Sequence, residues 1–183
     1  MGAWAERLIE ILSASDEWAQ RLLNGLSEEQ LNWQPEASAW SIGQCIDHLC
    51  ATNDAYLPPI DKALQGKSKA TVDEITPGWF GAWFIRSFIE PLPNQMRAKA
   101  PKKIVPTSHL HLNVLDRFLS GNEEVRRLIQ QASEYDVNRI RFKNPFIPVI
   151  RFTVGTGFEI VTKHQRRHLL QADRVKEAAA FPR

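Results

Sequence analysis

Residues 156–179 read TGFEIVTKHQRRHLLQADRVKEAA, and this stretch gives the clearest indication of the fold class. Its apolar residues recur with the period of about 3.6 residues that marks one face of an α-helix. That face also carries two histidines and a glutamine, and its members are Phe158, Val161, His164, Gln165, His168, Ala172 and Val175. Thr156 is a suitable N-cap for a helix that ends near Ala179. The stretch predicts a long helix with a partly polar buried face.

The N-terminal part of the chain predicts a helix followed by a short connecting turn. Apolar residues keep the helical period at Trp4, Leu8, Ile11, Trp18 and Leu22. Gly25 then stands where a C-terminal cap is expected. Ser27 and Gln30 show the pattern of a capping box, which predicts a short turn that Pro35 closes.

The middle of the chain predicts two more long helices joined by a long crossover. Ser41 is a good N-cap for the first of these helices, and Pro58 and Pro59 are expected to bend or end that helix. The other is expected over about 108–133, where apolar residues again follow the helical period. Residues 67–107 are rich in proline and glycine, including Pro93, around an aromatic run, which predicts a crossover with one short aromatic helix.

These four principal helices predict an all-α protein, a four-helix bundle with the crossover between its second and third helices. Residues 137–154 change to β-branched and aromatic residues around two prolines and predict a short hairpin or an extended connection. A length of 183 residues favours one domain over residues 1–183. Bundles build their sites from inward side chains on facing helices.

Composition excludes several classes of partner. The 23 Lys and Arg residues nearly balance the 21 Asp and Glu residues, so we expect neither a nucleic acid nor a membrane surface as the partner. Glu6 and Arg7 place charges where a signal peptide needs an apolar stretch, and a cytoplasmic location is expected. The two cysteines, Cys45 and Cys50, are five apart on one predicted helix and point about 140° away from each other, which excludes a bridge between them there.

His164 and His168 are the residues most indicative of chemistry. Residues four apart on a helix differ by about 40° in direction, so both imidazoles can reach one metal ion. Imidazole is the commonest metal-binding side chain, and two imidazoles on an apolar face need partners. The alternative is one core histidine with its hydrogen bonds satisfied and one partly exposed histidine.

His48 lies at the border of the second long helix's apolar face and supplies a third candidate ligand. Three histidines leave coordination positions open, as in a catalytic or substrate-binding site. Cys45, one turn earlier, is a candidate fourth ligand or redox-active thiol, although small apolar packing is favoured. Gln44 and Arg167 lie one turn from a candidate ligand and are either orienting or anion-binding groups or, as favoured here, exposed polar residues.

His109 and His111 are excluded from the site. Side chains two residues apart on a helix point about 200° away from each other, so this pair could not face one ion together. His111 is in phase with the apolar face of its predicted helix, but a histidine bonded to nearby backbone at the helix start is favoured.

Two motifs carry a resemblance to a known family. Residues 40–49, WSIGQCIDHL, resemble the tryptophan–serine helix start of the DinB-like superfamily, which leads to that family's first metal histidine. Residues 164–171, HQRRHLLQ, resemble its C-terminal histidine pair, and residues 26–35, LSEEQLNWQP, are similar to its first connection. The chain is therefore similar to the DinB-like superfamily, which includes the YfiT-type proteins.

The resemblance implies an up-down-down-up bundle in which His48, His164 and His168 bind one divalent metal ion, commonly zinc, nickel or iron. It also implies a tendency to form a homodimer. Some members of the family are thiol-dependent transferases or isomerases that use bacillithiol or mycothiol, and many have no assigned activity.

Three functions are consistent with the sequence. The leading interpretation is a metal-dependent enzyme, a thiol-dependent S-transferase acting on a small-molecule thiol or electrophile, in which the ion lowers the pKa of a bound thiol or water. The alternative is a non-enzymatic metal-binding module with a stress-response or structural role. The third is a metal-free helical dimer whose histidines no longer bind an ion. The aromatic run around Trp79 is expected to pack on the bundle or, second, to form a dimer contact.

Overall fold

A computed structural model describes residues 2–91 and 99–183. The helices are α1 (Ala3–Leu23), α2 (Glu28–Asn32), α3 (Ile42–Leu64), α4 (Gly78–Phe84), α5 (Val114–Ala132) and α6 (Val154–Lys176). A small antiparallel hairpin, β1 (Arg141–Lys143) and β2 (Arg151–Thr153), precedes α6. The predicted all-α class is confirmed, and the hairpin was one of the two structures predicted for residues 137–154.

The four long helices form the bundle. α1 and α3 each pack against both α5 and α6. One apolar cluster joins the first halves of α1 and α6 to the second halves of α3 and α5, and a second cluster joins the opposite halves. This pairing is the one that an up-down-down-up order of helices requires. None of the helices in the described ranges has the length and apolar character needed to span a membrane.

A buried polar layer lies between the two apolar clusters. Asn122 on α5 donates to Asp16 on α1 and accepts hydrogen bonds from Asn53 on α3 and Gln165 on α6. Arg126 forms an ion pair with Asp16 in the same layer. Because buried amides need partners, this network favours one register of the four helices over others.

Capping residues explain where α2, α3 and α6 begin. Ser27 and Ser41 both accept from the third residue of their helices, and each forms a complete capping box. These two predictions are confirmed. α6 is capped three residues earlier than predicted, because Thr153 rather than Thr156 supplies the capping hydroxyl, and the helix ends at Lys176 rather than near Ala179.

One predicted boundary is wrong, and one of two effects predicted for a proline pair is excluded. α5 begins at Val114 instead of near Ser108, because side chains from elsewhere in the chain bind the backbone of Thr107 and Leu110 before it. Pro58 and Pro59, which were expected to bend or end α3, do not end it, because the helix continues to Leu64. Buried apolar residues beyond the prolines hold this last part of α3 in the core, which offsets the two lost helical hydrogen bonds.

The crossover contains the predicted aromatic helix, α4, which continues into a π-helical turn over Ile85–Ile89. Phe80 and Phe84 pack against Phe152, so the predicted packing on the bundle is confirmed for one face of this run. Trp79 is 85% exposed. The part of the crossover at 92–98, with the predicted breaker Pro93, lies outside the described residues.

Candidate metal centre

Helices α3 and α6 bring the three predicted histidines together. The Nε2 atom of His164 lies 3.4 Å from Nε2 of His48 and 3.1 Å from Nε2 of His168. His48 is 2% exposed and His168 is 7% exposed. The imidazole of His164 is buried as well, although the residue as a whole is less buried than the other two. The Nε2 atoms of the three rings therefore converge between α3 and α6.

Local structure at the start of α3 sets the position of His48. The capping box at Ser41 fixes the first turn, and Trp40, just before it, turns back over the histidines. The Trp40 ring centroid lies 4.7 Å from that of His48 and 5.6 Å from that of His168. Trp40 thus packs against both rings and limits their contact with water.

Hydrogen bonds at the far side of two rings define their tautomers. Nδ1 of His48 donates to the carbonyl of Ile104 at 2.7 Å, and Nδ1 of His168 donates to Oε1 of Gln171 at 3.0 Å. Because both acceptors are carbonyl oxygens, the protons of the neutral rings lie on Nδ1. The Nε2 atoms of His48 and His168 therefore both present lone pairs to Nε2 of His164.

The surroundings keep all three rings neutral. Desolvation by burial lowers the pKa of His48 and lowers those of His164 and His168 well below the ordinary value. The positive charge of Arg167 acts in the same direction on each of the three rings. Neutral imidazole is the form that binds a metal ion.

The donor set fits a divalent ion. The three converging nitrogens have at most one proton among them, the one on His164, and that proton can satisfy only one neighbouring lone pair well. A cation placed among them would satisfy all three. Nδ1 of His164 is buried and has no hydrogen-bond partner among the described residues, so its ring is the one held least firmly.

Comparison with known proteins assigns the family. The family model of the DinB superfamily matches residues 12–172, a range that includes all three histidines. The chain belongs to the DinB superfamily. The resemblance carried by the two histidine motifs is thereby confirmed. "Uncharacterized protein YuaE" of Bacillus subtilis (strain 168) is 27% identical over 165 residues, which cover 85% of this chain and 88% of that protein. No solved structure matches the chain.

The carboxylate of Asp47 and its hydrogen bonds, called the Asp47 brace below, hold the segment of this DinB-superfamily chain that orients His48. The carboxylate of Asp47 accepts from the backbone N–H of Thr107 at 2.9 Å and from its hydroxyl at 2.8 Å. Arg117 on α5 donates to the same carboxylate at 2.6 Å. Asp47 therefore links α3 to the segment that carries the Ile104 carbonyl, three residues before Thr107.

The other residues considered from the sequence have different roles. Cys45 packs in the apolar core, as favoured, and burial raises the pKa of its thiol to about 12. Gln44 completes the capping box and donates to the carbonyl of Thr107, so it orients no histidine. Arg167 is partly buried, contrary to the exposed position favoured for it, and donates to the carbonyl of Phe88 at 2.9 Å.

Sequence reasoning missed two groups that orient the rings. Gln171 is three residues after His168 on the same helix, a spacing at which side chains meet, so its role could have been found from the sequence. The Ile104 carbonyl is a backbone group in an irregular segment and carries no sequence signal.

His109 and His111 lie apart from the centre, but the reason given from the sequence is wrong. Both residues precede α5 and are exposed, so the angular spacing of a helix does not apply to them. Nδ1 of His111 lies 2.9 Å from Oε1 of Glu28, a side-chain partner rather than the nearby backbone that was expected.

Proposed function

We propose that this DinB-superfamily protein is a metal-dependent enzyme in which His48, His164 and His168 bind one divalent ion, zinc, nickel or iron. The observation that supports this most is the convergence of three neutral ring nitrogens, two of them with lone pairs directed at the third. Three nitrogen ligands leave at least one coordination position for water or substrate, as in catalytic zinc sites. When bound, such an ion lowers the pKa of a coordinated thiol or water and so supplies a nucleophile at neutral pH.

The chain's own residues would prepare this site. The Ile104 carbonyl and Gln171 orient two of the rings through Nδ1, and Trp40 shields them from water. The guanidinium of Arg167 is close enough to lower the pKa of all three histidines, and the same positive charge would favour an anionic substrate group.

We propose thiol-dependent S-transfer as the reaction, with a small-molecule thiol as one substrate and an electrophile as the other. An open position beside three imidazoles suits a thiolate ligand, and thiol-dependent transfer is one of the activities that the family resemblance implies. The reaction would join the thiol sulfur to the electrophilic carbon and release the leaving group, while the thiol proton passes to water or buffer.

Elemental analysis of protein purified without a histidine tag, followed by a thiol-conjugation assay with simple electrophiles, tests this proposal. We expect close to one equivalent of divalent metal that is present in the wild type and lost in His168→Ala, together with a conjugation rate that disappears in the same variant. Arg166→Ala is the matched control, because Arg166 is exposed on the same helix. Absence of metal under every loading condition, or conjugation that persists in His168→Ala, would overturn the proposal.

A non-enzymatic metal-binding module with a stress-response or structural role is the second candidate. It is supported by the location of His48 on α3 and the other two histidines on α6, because an ion there would link two helices. The same variant separates the two functions. A large drop in the melting temperature of His168→Ala, with no thiol chemistry in the wild type, favours the structural role, whereas a stable but inactive variant favours catalysis.

We also propose that residues 1–183 fold as one cytoplasmic domain that forms a homodimer. A reducing compartment suits the two free thiols, Cys45 and Cys50. Trp79 and Trp83, 85% and 48% exposed, support a dimer contact through α4, because large aromatic residues are enriched at interfaces. Sedimentation analysis of the wild type and Trp79→Ser tests this, and a wild-type monomer at all concentrations would contradict it.

A further inference from the structure

A second group of metal-binding side chains lies on the surface, outside the core histidines. Glu28, His109 and His111 each offer one donor atom, and the three atoms all lie within 4.8 Å of one another. All three residues are exposed. We infer that they form a second divalent-metal site, which connects the start of α2 to the segment before α5.

The side chains are already close to the geometry that an ion needs. Nδ1 of His111 lies 2.9 Å from Oε1 of Glu28, and the ring centroids of His109 and His111 are 5.4 Å apart. Ligand atoms on a tetrahedral zinc ion lie about 3.4 Å apart, since each is about 2.0–2.1 Å from the metal. Rotations of exposed side chains alone can bring the three donors to these separations.

Asn32 holds the two donor-bearing segments together and is an independent indication that they form one unit. Its Nδ2 donates to the carbonyl of Glu28 and to the carbonyl of Leu110, both at 2.8 Å. The backbone N–H of Leu110 donates in return to Oδ1 of Asn32 at 2.8 Å. Leu110 is the residue between the two histidines, and its side chain is buried in the core. These hydrogen bonds therefore fix the backbone segments that carry all three donors before any ion binds.

The donor set indicates the class of ion. Two imidazoles and one carboxylate suit zinc, copper and nickel better than magnesium or calcium, which prefer oxygen ligands. Water completes the coordination because the group is exposed. We expect weaker binding than at the core centre, since three exposed side chains lose rotamer freedom when they bind.

Calorimetric titration of the untagged, metal-stripped protein with zinc chloride at neutral pH tests the inference. The wild type should show a weak binding step that disappears in His111→Ala and in Glu28→Gln. Glu29→Gln is the matched control, because Glu29 is the exposed neighbour of Glu28 and should leave the step unchanged. A weak step that survives in His111→Ala, or a wild type without one, would overturn the inference.

The outcome is independent of the core centre, because every variant above retains His48, His164 and His168. If zinc binds in two steps, only the weaker step should respond to these substitutions. If the core centre binds no zinc, a single step that His111→Ala removes would still support the surface site while counting against the proposed function.

Asn32 is a positioning residue in this arrangement. Asn32→Ala should weaken the surface step about 10-fold, the lower end of the effect of losing a group that orients metal ligands, because Asn32 binds the backbone of the donor segments and not their side chains. The tighter step serves as the internal control, because a general loss of structure would weaken both. An unchanged surface affinity in Asn32→Ala would remove Asn32 from the site.

Discussion

Replacement of Gln171 by alanine tests the role of one hydrogen bond in preparing the core centre. In the wild type, Oε1 of Gln171 accepts from Nδ1 of His168 at 3.0 Å and so keeps the lone pair of His168 directed at the other rings. Gln171→Ala removes this acceptor and permits the opposite tautomer, in which Nε2 carries the proton. The same change at His48 cannot be made by substitution, because its acceptor is the backbone carbonyl of Ile104.

The structure sets the size of the expected effect. Loss of a group that orients a metal-binding histidine weakens metal affinity about 10-fold to 100-fold. Gln171 is only partly buried, so water can replace it as an acceptor. We therefore expect the lower end of the range, about 10-fold, or about 1.4 kcal/mol of binding free energy.

Competition between the metal-stripped protein and a chromogenic zinc chelator measures this change. Gln171→Glu should retain the wild-type affinity or exceed it, because a carboxylate is the stronger acceptor. Arg174→Ala, an exposed residue on the same helix, is the matched control and should change nothing. Equal zinc affinity in the wild type and Gln171→Ala would refute the role assigned to this hydrogen bond.

Three further outcomes are expected. Asn122→Ala leaves the buried amides of Asn53 and Gln165 without their acceptor. The free energy of unfolding in urea should therefore fall by about 2–6 kcal/mol. A loss below about 1 kcal/mol would count against the network. In metal-free protein, burial lowers the pKa of His168. Below about pH 6.5 the unfolded state therefore binds more protons than the folded state. The free energy of unfolding should fall as the pH is lowered through this range. The melting temperature of His168→Gln should decline less steeply with falling pH than that of the wild type, and equal slopes would contradict this. A Cβ added at Gly157 would lie 2.7 Å from Cε1 of Phe142, so Gly157→Ala should cost about 1–3 kcal/mol in the same urea assay, whereas an unchanged midpoint would show that the hairpin moves freely.

The fold class could be predicted because its determinants are local. The serine caps before α2 and α3 and the apolar period of α6 are properties of short segments, and they place the helices to within a few residues. The start of α5 could not be predicted in this way. The segment before it remains irregular because Asp47 and Asn32 bind its backbone, and they are distant in sequence from that segment.

The candidate site likewise has parts that local sequence patterns predict and parts that they do not. The histidine pair on α6 follows from helical spacing, and His48 follows from its place on the apolar face of α3. The Ile104 carbonyl, the Asp47 brace and the closeness of Glu28 to His111 arise only when separate segments meet. Spacing arguments also failed at His109 and His111, because they assumed a helix that tertiary hydrogen bonds prevent.

The contacts between α3 and α6 favour the catalytic role over the structural one. Leu49 and Leu169 are both buried in one apolar cluster, and the amides of Asn53 and Gln165 meet at Asn122. These contacts join the two helices on their own, so the bundle has little need of an ion to close it. The three neutral imidazoles then contribute little to stability without a ligand, since each ring was desolvated at a cost that only a bound cation offsets fully. A centre that the fold does not need, and whose rings are already oriented for a ligand, supports the proposed chemistry on a bound substrate over a cross-linking role.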